Sequence, residues 1–329
     1  MVVVCAIIAA VIEGRSQIGQ ELAGGEFKRQ ASRFRDWVTA DGSSGFRAEP
    51  GRYHLYVALA CPWSHRTVVV RDLKGLTDVI GVSYLHPYRD ERGWAFSGEE
   101  FTDDLNGWEF LSAAYEASDP GYSTRVSVPV LWDRSTGRIV SNESADIVRM
   151  MGSAWDEWGD ASVDLYPEPL RAEIDSLSDW VYENVNNAVY QAGFAESQGA
   201  YERAYRRVFD ALPSLESRLS ESRYLVGDVL TEVDWRLWVT LVRFDSVYYT
   251  HFRCNGARIV DFPALWGFTR ELYQLPGVAE TVAMDQIKRH YYTTHDMLNP
   301  KRIIPAGPEG LDFSEPHGRG VGGRPVGAP

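Results

Sequence analysis

The stretch Cys61-Pro62-Trp63-Ser64-His65-Arg66 stands where an apolar alternating run ends and a helical pattern begins. Tyr53 to Leu59 predicts a strand and Thr67 to Leu73 predicts a helix, so Cys61 falls at a strand-to-helix junction. Proline suits the first helical position, because its missing N–H would have no partner there. We therefore expect the Cys61 sulfur over free backbone donors, where a thiol ionises more readily and becomes a nucleophile. The alternative is a buried, unreactive cysteine that happens to precede a helix.

The composition is that of a folded protein with two domains. A length of 329 residues allows two cores, and the hydrophobic fraction of 44% is that of an ordinary globular chain. The formal net charge of −13 argues against nucleic acid or an anionic membrane as a partner, since neither would be attracted over long range.

The cysteines indicate a reducing compartment and no metal site. Cys5, Cys61 and Cys254 lie far apart and form neither a Cys-x-x-Cys motif nor a metal-ligand spacing. A cytoplasmic protein is therefore expected. Met1 to Ile12 is almost entirely apolar, but it has no basic start and is shorter than the about 20 residues of a spanning helix. A loose N-terminal segment or a misplaced start codon is favoured over a signal peptide.

Two further strand patterns follow the Cys61 helix, with a long segment between them. Val79 to Leu85 alternates and predicts a strand. His86 to Gly121 is too long for a compact connection, so we expect a functional or ordered excursion. Val126 to Trp132 predicts a strand, but a proline cannot donate to a central ladder. We therefore expect an edge strand or a bulge, and a cis bond before Pro129.

The patterns downstream complete one domain and begin another. Arg138 to Ser141 predicts a strand, and the residues after it open a helix that runs to about Met151. This order of elements predicts a thioredoxin-like α/β domain. After the proline-rich stretch at 166–169, the periodicity from Leu170 to Lys288 is helical, with a helix predicted over Leu170 to Val185. The predicted units are an N-terminal extension (1–45), a thioredoxin-like domain (46–165), an all-α domain (166–300) and an irregular C-terminal tail (301–329).

The combination of these halves resembles a glutathione transferase. Val128-Pro129 and Glu143-Ser144 lie in the first half, and the capping box Thr231-Glu232-Val233-Asp234 lies in the second. Four motifs, in the right order between about Gly25 and Pro308, resemble those of the Xi class, the glutathionyl-hydroquinone reductases. Ser64 and Ala188 depart from that class, which more often has alanine and glycine there. The four motifs are Cys61-Pro62-Trp63-Ser64-His65-Arg66, Ser141-Asn142-Glu143-Ser144-Ala145, Asn186-Asn187-Ala188-Val189-Tyr190-Gln191-Ala192-Gly193-Phe194 and His290-Tyr291-Tyr292.

The resemblance implies a glutathione transferase fold, a homodimer, and glutathione as co-substrate with no tightly bound cofactor. The extended glutathione would pair with the backbone at Val128, beside the proline. Its γ-glutamyl carboxylate would meet the helix N-terminus at Ser144, and its ammonium group would meet Glu143. Trp94 matches a tryptophan of the class that contacts glutathione. Without the resemblance, Ser144 would be a simple helix cap and Trp94 would be core packing.

The aromatic part of the substrate is assigned to tyrosines of the helical half. The resemblance points to Tyr190 and Tyr291 as catalytic groups whose hydroxyls bind the two hydroquinone oxygens. Because the chain has 17 tyrosines, the residues alone do not single these out. We interpret His65, His290 and His295 as structural, since no third ligand or carboxylate is spaced to them.

Together these features predict an enzyme that reduces glutathionyl-hydroquinones with glutathione. The Cys61 thiolate would attack the sulfur of the aryl-bound glutathione, and a second glutathione would resolve the mixed disulfide, since the motif has no second cysteine. Two alternatives stay open. A glutaredoxin-like thioltransferase or dehydroascorbate reductase would use the same cysteine without an aromatic pocket. A non-catalytic protein that binds glutathione or an aromatic ligand would tolerate the loss of Cys61.

Overall fold

The structure, a computed structural model, describes residues 22–23 and 25–320. Met1 to Ile12 and Cys5, discussed above, lie outside the described residues. The described residues form eight strands and nine α-helices. The strands are β1 Leu22–Ala23, β2 Glu26–Phe27, β3 Val38–Thr39, β4 Phe46–Arg47, β5 Tyr53–Val57, β6 Gly81–Tyr84, β7 Val130–Asp133 and β8 Arg138–Ser141. The helices are α1 Pro62–Leu73, α2 Ser112–Ser118, α3 Ser144–Met151, α4 Arg171–Val181, α5 Ala188–Gly193, α6 Gln198–Glu221, α7 Glu232–Arg243, α8 Pro263–Tyr273 and α9 Met284–Thr294.

A four-stranded mixed sheet, in the order β6-β5-β7-β8, is the centre of the first half. Strand β5 runs parallel to β6 and antiparallel to β7, and β7 is antiparallel to β8. Helices α1 and α3 pack against each other on this sheet. The predicted α/β class is therefore confirmed. Helix α2 was not predicted: it has seven residues and buries only Ala114 and Tyr115, too few for a helical period to show.

The prediction that the proline-containing strand lies at an edge of the sheet is wrong. Strand β7 starts at Val130 and has partners on both sides. Pro129 stands just before it, so the ladder does not need a donor from that residue. The bond from Val128 to Pro129 is cis, as expected. The pairing with β8 shifts between Leu131 and Trp132, but this irregularity lies after Pro129 and does not accommodate the proline, so it is not the predicted bulge.

The excursion between β6 and α2 is ordered and covers the other face of the sheet. Trp94, Phe96 and Leu111 are buried in one apolar cluster with Tyr56 and Val130 of the strands. Backbone hydrogen bonds close the excursion on itself around residues 95 and 110. A loop therefore supplies the apolar cover that a helix provides on the opposite face.

Helices α4 to α9 form the second half, and its predicted all-α class is confirmed. Helix α7 is buried along almost its whole length and packs against α1 of the first half. The predicted capping box is present at its start, where Asp234 Oδ2 accepts from the Thr231 N–H at 2.8 Å. The helix predicted over Leu170 to Val185 is instead α4 followed by a π-helical turn, Tyr182–Asn186.

The two ends of the described chain pack on the body of the protein. In the extension, the Phe34 N–H donates to Asn142 Oδ1 at 3.1 Å. The described part of the tail, 301–320, has no helix or strand, as predicted, yet Phe313 packs against Trp266 and Tyr273 of α8. The proposed domain boundaries stay a prediction. Within 22–23 and 25–320, no helix is long and apolar enough to cross a membrane.

Candidate active site

Cys61 is the N-cap of α1, with extended backbone at φ −80° and ψ 123°, and Pro62 is the first helical residue. The predicted strand-to-helix junction is therefore confirmed. The half-buried Cys61 lines a cleft between the two halves of the chain. Its Sγ lies 3.9 Å from the Val128 carbonyl oxygen, and no disulfide engages it. The sulfur thus combines access from the cleft with a helix N-terminus beneath it.

Buried polar side chains hold the loop in front of Cys61. Arg243, at the end of α7, donates to the carbonyls of Leu59 at 2.7 Å and Ala60 at 3.2 Å. It also lies 3.0 Å from His65 Nδ1, while His65 Nε2 is 2.7 Å from Thr281 Oγ1. Burial and the Arg243 charge lower the pKa of His65 well below its ordinary value. His65 is therefore a neutral side chain with a hydrogen-bond partner at each ring nitrogen, in agreement with its structural interpretation.

The N-terminus of α3 carries the pair assigned to the γ-glutamyl group. Glu143 is the N-cap, and its Oε1 accepts from the Ala145 N–H at 3.1 Å. The reading of Ser144 as the helix cap is therefore wrong, because it is the first helical residue. Its Oγ accepts instead from Arg66, at 2.6 Å from Nη2 and 3.1 Å from Nε. Within the described residues the Ser144 N–H has no partner, so it can receive a carboxylate together with the hydroxyl proton.

The electrostatics keep Glu143 ionised. Burial alone would raise the pKa of Glu143, but the charge of Arg66, the Ala145 N–H and the Ser32 hydroxyl outweigh burial and lower it. Ser32, from the N-terminal extension, donates to Glu143 Oε2 at 2.9 Å. Burial lowers the pKa of Arg66 to about 9, helped by the nearby charge of Arg236. Glu143 is therefore a carboxylate that can accept from an ammonium group.

Trp94 and Val128 lie on the other side of Cys61. Trp94 is 3% exposed and stacks on His290, with ring centres 5.0 Å apart. The Arg89 guanidinium lies 5.5 Å from the Trp94 ring centre, and all three side chains line the cleft. Val128 precedes β7, and in the described part of the chain its N–H has no backbone partner. An extended peptide can therefore add to this backbone beside Cys61.

The structure joins Tyr190 and Tyr291, which lie 101 residues apart, by a 2.5 Å contact between their hydroxyl oxygens. The Tyr291 hydroxyl also lies 2.9 Å from that of Tyr248, which sequence reasoning missed. Burial raises the pKa of Tyr190, Tyr248 and Tyr291, and the charge of the Cys61 sulfur raises that of Tyr190 further. All three phenols are therefore protonated at neutral pH. No sequence signal distinguishes Tyr248, which lies in the π-helical turn after α7.

The glycine in the α5 motif has a steric role in this cluster. A Cβ on Gly193 would lie 2.3 Å from ring atoms of Phe252. The Phe252 ring in turn packs against Tyr190, with centres 5.2 Å apart. Only glycine therefore lets this ring come close enough to support the tyrosine.

Histidines form the floor of the same cleft. His290 and His295 line it, and His295 Nδ1 lies 3.2 Å from His251 Nε2. Burial lowers the pKa of His290 to about 3 and that of His251 to about 4. Among the described residues no group of three or more potential ligands could hold a metal ion. These histidines are thus neutral packing partners of the aromatic rings.

The N-terminal extension reaches into the cleft, which the sequence did not indicate. Phe27 packs against Tyr190 and Phe194, with ring centres 6.2 Å and 5.4 Å apart. The Arg29 guanidinium lies over the rings of Phe27, Trp63 and Tyr190. No motif marks these residues, because their role comes only from the path of the extension over the cleft. Among the described residues, the cleft is lined by Phe27, Arg29, Cys61, Trp63, Arg89, Trp94, Arg125, Tyr190, Phe194, His290, Tyr291 and His295.

Two family models match this chain. The model "Glutathione S-transferase, N-terminal domain" matches residues 60–154, and "Glutathione S-transferase, C-terminal domain" matches residues 198–271. The first range contains the cysteine and the helix N-terminus of the site, and the second contains α6 and α7. The chain belongs to the glutathione transferase family, and the predicted fold class is confirmed.

Individual relatives narrow the class. The chain is 52% identical to glutathionyl-hydroquinone reductase YqjG of Escherichia coli (strain K12), over 91% of this chain and 93% of the relative. It is 46% identical to glutathionyl-hydroquinone reductase PcpF of Sphingobium chlorophenolicum, over 87% of this chain and 91% of the relative. The Xi-class glutathione transferase structure from Natrialba magadii superposes with a TM-score of 0.86 at 48% identity, over 91% of this chain and 92% of that one. Within the family, the chain is a member of the Xi class, the glutathionyl-hydroquinone reductases, as its motifs predicted.

Proposed function

We propose that this protein is an enzyme that reduces glutathionyl-hydroquinones to hydroquinones with glutathione. The observation that carries the proposal is the meeting of Cys61, at a helix N-terminus, with the Tyr190–Tyr291 pair in one cleft. A thiolate can attack the sulfur of the substrate, while phenol donors face the ring that this sulfur leaves. The names of YqjG and PcpF support the same reaction.

The reaction proceeds in two steps, each of which is the attack of a thiolate on a sulfur atom. The Cys61 thiolate forms a bond to the sulfur of the aryl-bound glutathione, and the carbon–sulfur bond breaks with its electron pair going to the ring. The ring carbon takes up a proton, so hydroquinone leaves and a Cys61–glutathione mixed disulfide remains. A second glutathione thiolate then attacks the disulfide, which releases oxidised glutathione and regenerates Cys61. The ring is reduced and two sulfurs are oxidised, so neither a metal nor a tightly bound cofactor is required.

Glutathione occupies the side of the cleft formed by the first half of the chain. Its backbone pairs with Val128, its γ-glutamyl carboxylate binds Ser144, and its ammonium group binds Glu143. Trp94 packs against the other end of the peptide. The existence of a glutathione-bound structure of YqjG, which superposes with a TM-score of 0.84, supports glutathione as the co-substrate.

The tyrosines act on the aromatic part of the substrate. Tyr190 and Tyr291 donate to the hydroquinone oxygens, which become more electron-rich as the sulfur leaves, so the contacts strengthen in the transition state. The Tyr248 hydroxyl, 2.9 Å away, positions the Tyr291 hydroxyl through a hydrogen bond. This cluster favours the hydroquinone reaction over a plain thioltransferase, which has no use for an aromatic pocket.

We place the enzyme in the cytoplasm as a homodimer. Cys61 and Cys254 are both unpaired, as expected in a reducing compartment. The homodimer follows from the resemblance to glutathione transferases. Light scattering of the purified protein tests it, and a monomer mass would overturn it.

Product analysis tests the reaction. The protein is incubated with a glutathionyl-hydroquinone and free glutathione, and hydroquinone and oxidised glutathione are quantified. We expect one of each per substrate consumed. Turnover of a small glutathione mixed disulfide in place of the hydroquinone adduct would support the thioltransferase alternative. Binding without turnover of either substrate would support a non-catalytic protein.

A further inference from the structure

A charged donor without a partner lines the cleft at Arg29. Its Nη2 is buried and has no hydrogen-bond partner in the described part of the chain, and its Nε makes a long contact of 3.4 Å with Asn187 Oδ1. A buried guanidinium N–H without an acceptor is unfavourable, so such an atom inside a binding cleft indicates that the ligand supplies the acceptor. The Nε1 of Trp63, which also lines the cleft, is likewise buried without a partner in the described residues.

Three aromatic rings hold this guanidinium beside the site of the aromatic substrate. Its central carbon lies 4.7 Å from the ring centre of Trp63, 4.9 Å from that of Tyr190 and 5.3 Å from that of Phe27. Cation–π contacts of this kind fix the position of the charge without neutralising it. Arg29 therefore keeps its capacity for an anion and presents it next to Tyr190.

The segment that carries Arg29 is anchored on both sides of it. On one side the Glu196 N–H donates to the Gly25 carbonyl at 3.1 Å. On the other side Ser32 donates to Glu143, and Arg35 forms a bidentate pair with Asp146 at 2.7 Å. The position of Arg29 is thus set before a ligand arrives, which lowers the entropic cost of recognition.

The charge of the cleft is opposite to that of the whole protein. The chain has a formal net charge of −13, yet Arg29, Arg89 and Arg125 line the cleft around Cys61, while the carboxylate of Glu143 lies outside this lining and 3.8 Å from the Arg66 guanidinium. The lining histidines His290 and His295 are neutral, because burial lowers the pKa of both. Arg29 therefore adds its positive charge to a cleft that is suited to an anionic ligand.

We propose that Arg29 makes the enzyme selective for glutathionyl-hydroquinones whose ring carries a carboxylate, with Nη2 donating to that group. The inference rests on the proposed function and names its substrate class. The same chemistry could serve a carboxylate of glutathione itself. The contact of Arg29 with Tyr190, on the aromatic side of the cleft, favours the ring substituent.

Three substrates and three variants separate these sources. The substrates are glutathionyl-dihydroxybenzoate, the uncharged glutathionyl-benzohydroquinone, and the mixed disulfide of cysteine and glutathione. The variants are Arg29→Gln, Arg29→Lys and the control Lys28→Gln, which removes an exposed charge from the same segment. We expect Arg29→Gln to lower kcat/KM for the carboxylated adduct by about tenfold more than for the other two, mainly through KM. Arg29→Lys should restore part of the preference, and Lys28→Gln should leave it unchanged.

Two results would overturn the inference. An equal loss for all three substrates would assign Arg29 to glutathione, and an unchanged ratio would leave it without a role in selection. Binding of the two hydroquinone adducts to Cys61→Ser, measured by tryptophan fluorescence, distinguishes a failure of this inference from a failure of the proposed function. The wild type could turn over neither adduct while Cys61→Ser still binds the carboxylated adduct more tightly than the uncharged one. If adding Arg29→Gln then removed this preference, the selectivity of Arg29 would be supported and the proposed reaction would be contradicted.

Discussion

The two sides of the cleft are assembled over very different distances along the chain. On the glutathione side, Cys61 and Ser144 each stand at the start of a helix in one small sheet domain. On the aromatic side, Tyr190, Tyr248 and Tyr291 come from three separate helical segments of the second half. The first arrangement uses backbone donors that every helix start provides. The second exists only when distant helices pack together.

This difference teaches how each side should respond to change. In the proposed assignment the helix starts at Cys61 and Ser144 act on any substrate that contains glutathione. A change at either helix start should therefore affect all reactions together. In the same proposed assignment the tyrosine cluster contacts only the aromatic ring of the substrate, so its loss should change the ratio of two reactions. That ratio, glutathionyl-hydroquinone turnover against reduction of a small glutathione mixed disulfide, is the measure by which the two sides are compared below.

The largest effect is expected for Cys61→Ser. A serine hydroxyl cannot attack sulfur at neutral pH, so both activities should fall to background while glutathione binding persists. In the wild type, mass spectrometry after exposure to substrate alone should show one glutathione adduct on Cys61. The matched control is Cys254→Ser, since burial raises the pKa of Cys254 to about 12 and keeps it a thiol. Substantial turnover by Cys61→Ser would contradict the mechanism.

Removal of one phenol should change the ratio of activities. Tyr190→Phe and Tyr291→Phe keep the ring but remove a donor to an oxygen that gains charge in the transition state. We expect turnover of glutathionyl-hydroquinones to fall by on the order of tenfold or more, about 1.4 kcal/mol per decade, and mixed-disulfide reduction to change little. Steady-state assays with both substrates measure this. An unchanged ratio would mean that the tyrosines do not face the ring, and the thioltransferase reading would replace ours.

Acid should destabilise the protein through its buried histidines at a pH where Glu143 is still a carboxylate. Burial lowers the pKa of His251 to about 4 and of His290 to about 3, against about 6.5 in an unfolded chain. Between these pH values the unfolded state binds more protons than the folded state. The contribution of the neutral histidines to the free energy of unfolding is therefore complete above about pH 6.5 and is lost as the pH falls. Each histidine can account for at most about 1.4 kcal/mol per pH unit. The lowered pKa of Glu143 acts only below about pH 4.5.

Denaturant unfolding at pH 7.5, 6.5 and 5.5 tests this pH dependence. The free energy of unfolding should decrease toward acid, and His290→Gln should make the decrease shallower. If the slope were the same in His290→Gln and in the wild type, the buried imidazole would not be the group responsible.

The smallest effect is expected at Ser144. Ser144→Ala removes one hydroxyl donor to the glutathione carboxylate and the acceptor of two Arg66 N–H groups, while the backbone N–H of residue 144 stays in place. Both activities should weaken by the same factor, on the order of fivefold for about 1 kcal/mol, with the loss in KM. Thr67→Ala is a suitable control, because its hydroxyl bonds within α1 to the Ser64 carbonyl at 2.7 Å. A loss confined to one substrate would place Ser144 outside the shared glutathione site.

Sequence reasoning failed wherever several elements compete for one residue. The pattern of Val126 to Trp132 suggested an edge strand, but the ladder starts one residue after Pro129, so the strand lies inside the sheet. The alternative interpretation of Ser144 as a simple helix cap is also wrong, because Glu143 occupies that position and Arg66 engages the serine hydroxyl. Neither outcome depends on local preference alone, since each is decided by a partner from elsewhere in the chain.

By itself the sequence determined the class of the fold, the junction at Cys61, the helix starts and the motifs of the family. These features depend on short-range periodicity, on proline and capping chemistry, and on residues only a few positions apart. The tertiary structure alone decided that Tyr248 joins the tyrosine pair and that Arg243 holds the loop before Cys61. It also decided that Arg29 lines the cleft with a donor that has no partner among the described residues. Such contacts join residues dozens to nearly two hundred positions apart, and their formation is governed by how whole helices and segments pack, which no local pattern encodes.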